Sequence, residues 1–177
     1  MKPIKKLFTA ALLQCALVLA VAIGSMAPAP AQAISLTDYL ENKLVDWLLR
    51  GQTFTPPATV YISLHTASCS DSATGTEVTG GSYARPALTS SLANWAGTQA
   101  AASTTASTGT NGTTSNNVAI NFATPSAGWG LVTHFGVFDA VTAGNMLICQ
   151  ALTVSKTINS GDTVSFAAAS LTLQIDN

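Results

Sequence analysis

The stretch Asn117–Ile158, NVAINFATPSAGWGLVTHFGVFDAVTAGNMLICQALTVSKTI, decides how the chain folds. Val118, Ile120 and Phe122 alternate with small or polar residues, the two-residue period of a half-buried strand. Thr124–Gly128 breaks that pattern, and Leu131, Thr133, Phe135 and Val137 resume it. Asp139–Asn145 (DAVTAGN) reads as a hairpin loop with a glycine free to take a positive φ, and Met146–Val154 supplies the next strand. The stretch is therefore the middle of a β-sheet core.

Working outward, Val60–His65 is a second clean strand, and Tyr83–Leu88 reads as an edge strand because Pro86 cannot donate to a ladder. Thr163–Phe166 and Ser170–Ile175 close the chain after a turn at Asn159–Asp162. Between Thr66 and Ser82 the chain is polar and glycine-bearing, as expected of a surface excursion. Residues 99–116 are a low-complexity run of Ala, Ser, Thr, Gly and Asn, expected to be a long loop because it has too little apolar surface to offset its ordering entropy. The order of elements predicts a mainly β fold, an antiparallel β-sandwich or jelly-roll-like barrel, with one N-terminal amphipathic helix.

That helix opens at Ser35, an N-cap residue with Asp38 three positions on, and stops at Gly51. Leu36, Leu40, Leu44, Trp47 and Leu48 share one face, with Tyr39 beside them. Such a stripe packs either on the chain's own core or on a neighbouring subunit, so these six residues form a candidate assembly face.

The first 33 residues have a different character. Lys2, Lys5 and Lys6 precede an apolar run, Leu7–Ile23, and Ala27–Ala33 ends in a small-x-small site. That is the layout of a secretory signal peptide cleaved after Ala33, with a membrane anchor as the alternative. Residues 34–177 would then form a single β-rich structural domain, with no membrane association after cleavage. This part keeps four basic residues (Lys43, Arg50, Arg85, Lys156) against eight acidic ones, a balance of −4. Charge this sparse argues against nucleic-acid binding, which needs clustered Lys and Arg. Cys69 and Cys149 are a possible disulfide, which export would permit; Cys149 as a small buried hydrophobe is the alternative.

No catalytic or metal pattern stands out. His134 would need a serine or Cys149 as nucleophile and an acid such as Asp139, and no nucleophile elbow is present. His65, Cys69 and Asp71 lack the spacing of a metal site, and Asp71 with Glu77 is too sparse for a calcium loop. Gly128-Trp129-Gly130 precedes a strand, whereas phosphate loops open a helix. No cofactor is expected.

Several segments together resemble a family of small bacteriophage structural proteins, described as tail-fibre-like or virion proteins. They are SLTDYLENKLVDWLLRG (35–51), VYISLHTA (60–67), GTEVTGGSYARP (75–86), AINF (119–122), GWGLVTHFGVFDA (128–140), GNMLICQAL (144–152), SKTINSGDTVSFAA (155–168) and LTLQID (171–176). The most telling are Glu77–Arg85, Trp129–Asp139 and Lys156–Phe166. The resemblance implies a non-enzymatic, largely β subunit with an N-terminal helix, assembling as a homo-oligomer or with other virion proteins. The export-like leader keeps open an exported cell-surface or filament subunit on the same fold. A secreted carbohydrate-binding module, stacking sugars on Trp95 or Trp129, is the third reading.

Overall fold

A computed structural model describes residues 35–97, 103, 105–108 and 112–175 of the chain. The expected signal peptide and residues 99–102, 104 and 109–111 of the expected loop lie outside the described residues. Among the described residues the fold is mainly β with antiparallel pairing and one helix, and no barrel closes.

Among the described residues nine strands and one helix are named in chain order. They are β1 (Ser35–Leu36), β2 (Thr59–His65), β3 (Ala87–Thr89), β4 (Thr113–Ser115), β5 (Ile120–Asn121), β6 (Gly130–Phe138), β7 (Met146–Ile158), β8 (Ser165–Phe166) and β9 (Thr172–Gln174), with helix α1 (Asp38–Leu49) after β1. A five-stranded sheet runs β1-β7-β6-β2-β3, and β4–β9 and β5–β8 form two ribbons. The β6–β7 hairpin predicted from the alternation in Leu131–Val137 is the centre of the sheet. Its loop turns through Ala143 and Gly144, both at positive φ (50° and 72°).

Alternation gives the sheet two different faces. Val60, Ile62 and Leu64 of β2 join Phe135 and Val137 of β6 in the main core. Ile120 and Leu173 from the ribbons, and Leu171 just before β9, join that core, so the ribbons cover this face of the sheet. The opposite face carries a smaller cluster of Cys69, Phe138, Met146 and Cys149 with Tyr61 packed against it.

Four expectations change in detail. The helix begins later than expected, because Ser35 and Leu36 pair with Cys149 and Ile148 and leave Thr37 at the N-cap. Thr37 makes no cap bond; its hydroxyl donates instead to the carbonyls of Met146 and Leu147, at the edge of β7. The expected edge strand at Tyr83–Leu88 shrinks to Ala87–Thr89, because the side chains of Tyr83 and Arg85 are held inward by Glu77. Strand β7 runs on to Ile158, and a bulge places Leu152–Ser155 opposite the single residue Thr133.

The low-complexity run ends in structure rather than loop. Thr113–Ser115 is strand β4, and Asn116 behind it is fully buried. Its side-chain amide donates to Val118 O (2.8 Å) and Ala167 O (2.7 Å), and its Oδ1 accepts from Leu171 N (2.8 Å). Because every polar group of that side chain has a partner, a polar residue here costs the core little.

Candidate assembly surface

The root of α1 is bonded to β7 and to the 66–76 segment, which a disulfide in turn ties to β7. Backbone Thr37 N donates to Leu147 O at 3.1 Å, and Asp38 N donates to Asp71 O at 3.0 Å. A disulfide joins Cys69 to Cys149, the residue that faces Ser35 across the β1–β7 pair. The helix start, the 66–76 segment and β7 are therefore tied at one point.

From that root the helix divides. Leu36, Tyr39 and Leu40 pack against the chain's own main core. Leu44 is half-buried, and no residue of the helix is fully buried. Farther along, Val45 is 50 % exposed, Trp47 55 %, Leu48 70 % and Leu49 76 %. Of the six residues singled out in the sequence, three thus face inward, Leu44 sits between, and Trp47 and Leu48 are open. Val45 and Leu49, which fall outside the expected stripe, form with Leu48 a second stripe at i, i+3, i+4 on the outer side. The surface ion pair Arg50 Nε–Asp46 Oδ1 (3.3 Å) is exposed and contributes little. Lys43 lies over the Tyr39 ring, 5.6 Å from its centroid.

At Gly51, with φ 67°, the chain leaves the helix and returns through Phe54, Pro56 and Pro57. These residues, with Leu40, Trp95 and Leu173, line an apolar cavity of about 280 Å³ beside the helix. A second cleft of about 370 Å³ lies under the β7 bulge, with Val132 and Phe166 in its wall and Lys156 and Asp162 at hand.

The charged chemistry gathers around Arg85 and Glu77. Arg85 grips Glu77 with two bonds, Nε to Oε1 at 2.7 Å and Nη2 to Oε2 at 2.6 Å. Its Nη1 donates to the carbonyls of Ala140 and Ala143, both at 2.9 Å, and its guanidinium lies 3.5 Å from the Phe138 ring centroid. Tyr83 donates to Glu77 Oε1 at 2.9 Å and accepts from Leu64 N at 2.9 Å. Trp129 meets Tyr83 edge-on at 5.2 Å and donates from Nε1 to Gly81 O at 3.0 Å. Gly81 has φ 54°, and a Cβ there would stand 2.7 Å from Ala127 O, so the turn requires glycine. Glu77–Arg85 and Trp129–Ala140 thus form one interlocked unit that pins the β6–β7 loop.

Ser63 Oγ and His65 Nε2 share a hydrogen bond of 2.7 Å, the kind of pair that activates a nucleophile. Both residues are 0 % exposed. Gly136 lies so close that a Cβ there would be 2.7 Å from Ser63 Oγ, leaving no room for a substrate. The pair is a wall of the fold. His134 bonds Thr133 Oγ1 (2.8 Å) and Ser68 Oγ (3.4 Å) rather than Asp139, and Cys149 has no thiol to offer. Asp139 instead accepts from Asn145 N and Nδ2, closing its own loop. Cys69 is likewise committed to the disulfide, so His65, Cys69 and Asp71 do not make a ligand set. Among the described residues, no group of three or more His, Cys, Asp or Glu could hold a metal ion, and no helix is long and apolar enough to cross a membrane. Trp129 is buried and not available as a sugar platform, while Trp95 is half-buried beside the apolar cavity.

Burial pushes the His65 imidazole below its ordinary 6.5; Glu77 opposes this, and Arg85 and His134 add to it. Burial would push the Glu77 carboxyl up, but hydrogen bonds from Arg85 and Tyr83 and the charge of Arg85 prevail and hold it below 4.5. For both groups the unfolded chain takes up its proton at a higher pH than the folded chain does. Their contributions are therefore complete above pH 6.5 for His65 and 4.5 for Glu77, and are lost as the pH falls below those values. Thermal melts should move to lower temperature between pH 7 and pH 5, and a His65→Gln variant should show a flatter slope over that range. An equally steep slope in the variant would remove His65 as the cause.

The sequence model of the family described as Podophage GP4 fiber I protein gp80 matches residues 35–174. The match spans most of the chain, including α1 and all nine strands, and the chain belongs to this family. No curated protein matches it. The family is one of phage structural fibre proteins rather than of enzymes, and it implies a place in the virion.

Proposed function

We propose that the chain is a non-enzymatic fibre subunit whose task is attachment, to copies of itself or to other structural proteins of the virion. The single observation that supports this most is the helix end, where four large apolar side chains stand exposed within one five-residue span, whereas the other exposed large apolar residues are scattered. A patch of that kind is unfavourable in water unless another surface covers it. The disulfide and the β1–β7 pairing hold the root of the helix, so the open end is presented in a fixed direction.

Quantitative mass spectrometry of purified phage particles tests the reading. The chain is expected in the particles at a fixed copy number, and its absence from particles whose other fibre proteins are present would overturn the virion role. A second reading, an exported surface or filament subunit on the same fold, rests on the leader-like pattern of Lys2–Ala33. That reading expects the chain outside the cell with Ile34 as its first residue. A chain retaining Met1 inside particles would exclude it.

A further inference from the structure

The C-terminal half of α1 carries an apolar arc wider than the side it turns to its own core. Leu44, Val45, Trp47, Leu48 and Leu49 cover roughly half or more of its circumference at 100° per residue. Only the inward part of that arc meets the chain's own core, and the rest of it is exposed. The same short segment supplies the opposite shape. Past Gly51 the chain turns back, and Phe54 and Pro56, with Trp95 and Leu173 from elsewhere in the fold, outline the open apolar cavity of about 280 Å³. Loss of one leucine side chain from a core leaves a hole on the order of 150 Å³, so this cavity has room for one or two such groups.

We propose that the exposed helix end of one copy, led by Leu48 and Leu49, fills the Phe54–Pro56–Trp95 cavity of a second copy. The inference rests on the assembly reading above and names its partner. Size and position favour a second copy of this chain. Val45, Trp47, Leu48 and Leu49 together expose on the order of 500 Å². Two copies pairing through them would bury on the order of 1,000 Å², the area at which specific interfaces begin. Donor and acceptor surfaces are contiguous on one segment, Leu44–Pro57, so a single interface can use both. Neither surface offers a charge for a partner to match: the nearest ions, Asp46 and Arg50, are paired with each other.

The test is cross-linking in trans, with Cys15→Ser as background so that no native free thiol interferes. One batch carries Leu48→Cys and the other Pro56→Cys; both positions are exposed, so folding is expected to survive. Mixed and treated with a thiol oxidant, the two should form a covalent pair that neither forms alone in comparable yield. Leu48→Arg should weaken self-association at least tenfold in sedimentation while the melting temperature stays unchanged. If self-association is present but neither cross-links nor responds to Leu48→Arg, the inference is overturned. If the chain stays monomeric alone, yet the Leu48→Arg chain is missing from assembled particles, the helix end binds a different virion protein. That outcome also overturns the inference, but it leaves the attachment role standing.

Discussion

Replacing Arg85 with alanine should lower the unfolding free energy by about 3 kcal/mol, because it strands a partly buried carboxylate and three other groups at once. The Arg85 side chain is 7 % exposed and that of Glu77 25 %, so water reaches only the carboxylate and reduces the loss below that of a fully buried pair. Ala140 O and Ala143 O lose their shared donor, and the Phe138 ring loses the cation above it. Because those carbonyls lie in the β6–β7 loop, the effect should extend beyond Glu77. Hydrogen exchange should speed up at Asn145 and Asp139, whose amides close the loop. A double variant, Arg85→Met with Glu77→Gln, should be more stable than Arg85→Ala, since no charge is left unpaired. Chemical denaturation of the three proteins measures this, and a loss below about 1 kcal/mol for Arg85→Ala would show that the network is only a surface ion pair.

Opening the disulfide should have an effect of similar size. Cys69 and Cys149 are 80 residues apart in the chain and both are buried. The loop-closure entropy for such a separation corresponds to roughly 4 to 5 kcal/mol, and measured losses for native bonds are commonly about 2 to 5 kcal/mol. A Cys69→Ala, Cys149→Ala variant should therefore melt on the order of 10 °C lower than the oxidised protein. The location adds a second signature. The bond sits where Asp71 and Leu147 hold the first residues of α1, so the amides of Thr37 and Asp38 should exchange faster in the variant, and those of β2 should change less. An unchanged melt in the variant and in reduced wild type would mean that packing alone holds these segments.

The central strands were legible because a two-residue period is a strong local signal. Leu131–Val137 and Val60–His65 alternate cleanly, and both are strands of the main sheet. The helix was equally plain, but its division was not. Periodicity says which residues share a face, whereas only the packing shows that the helix overruns its own core after Leu44, which leaves Leu48 open and makes Val45 and Leu49 part of the surface. Composition misled at residues 113–116, since one well-bonded asparagine and a short ladder can order a segment that has almost no large side chains. Arg85 beside Pro86 looked like an edge-strand residue. Its real surroundings come from Glu77 eight residues earlier and from carbonyls of the hairpin loop more than fifty residues later, a distance no local pattern spans. The segments that carried the family resemblance proved to be these same long-range partners. Glu77, Gly81, Tyr83 and Arg85 meet Trp129, Phe138 and Ala140, while Ile158 O accepts the Trp129 amide at 2.9 Å.

Under the proposed attachment role, the contact surface is the exposed end of α1, where Val45, Trp47, Leu48 and Leu49 stand together. Sedimentation velocity of the purified chain over a wide concentration range measures this most directly. The account predicts a mass that climbs from the monomer to defined multiples as concentration rises, and that returns to the monomer when Leu48 and Leu49 are changed to arginine. A single monomeric species at every concentration would contradict self-assembly through the helix.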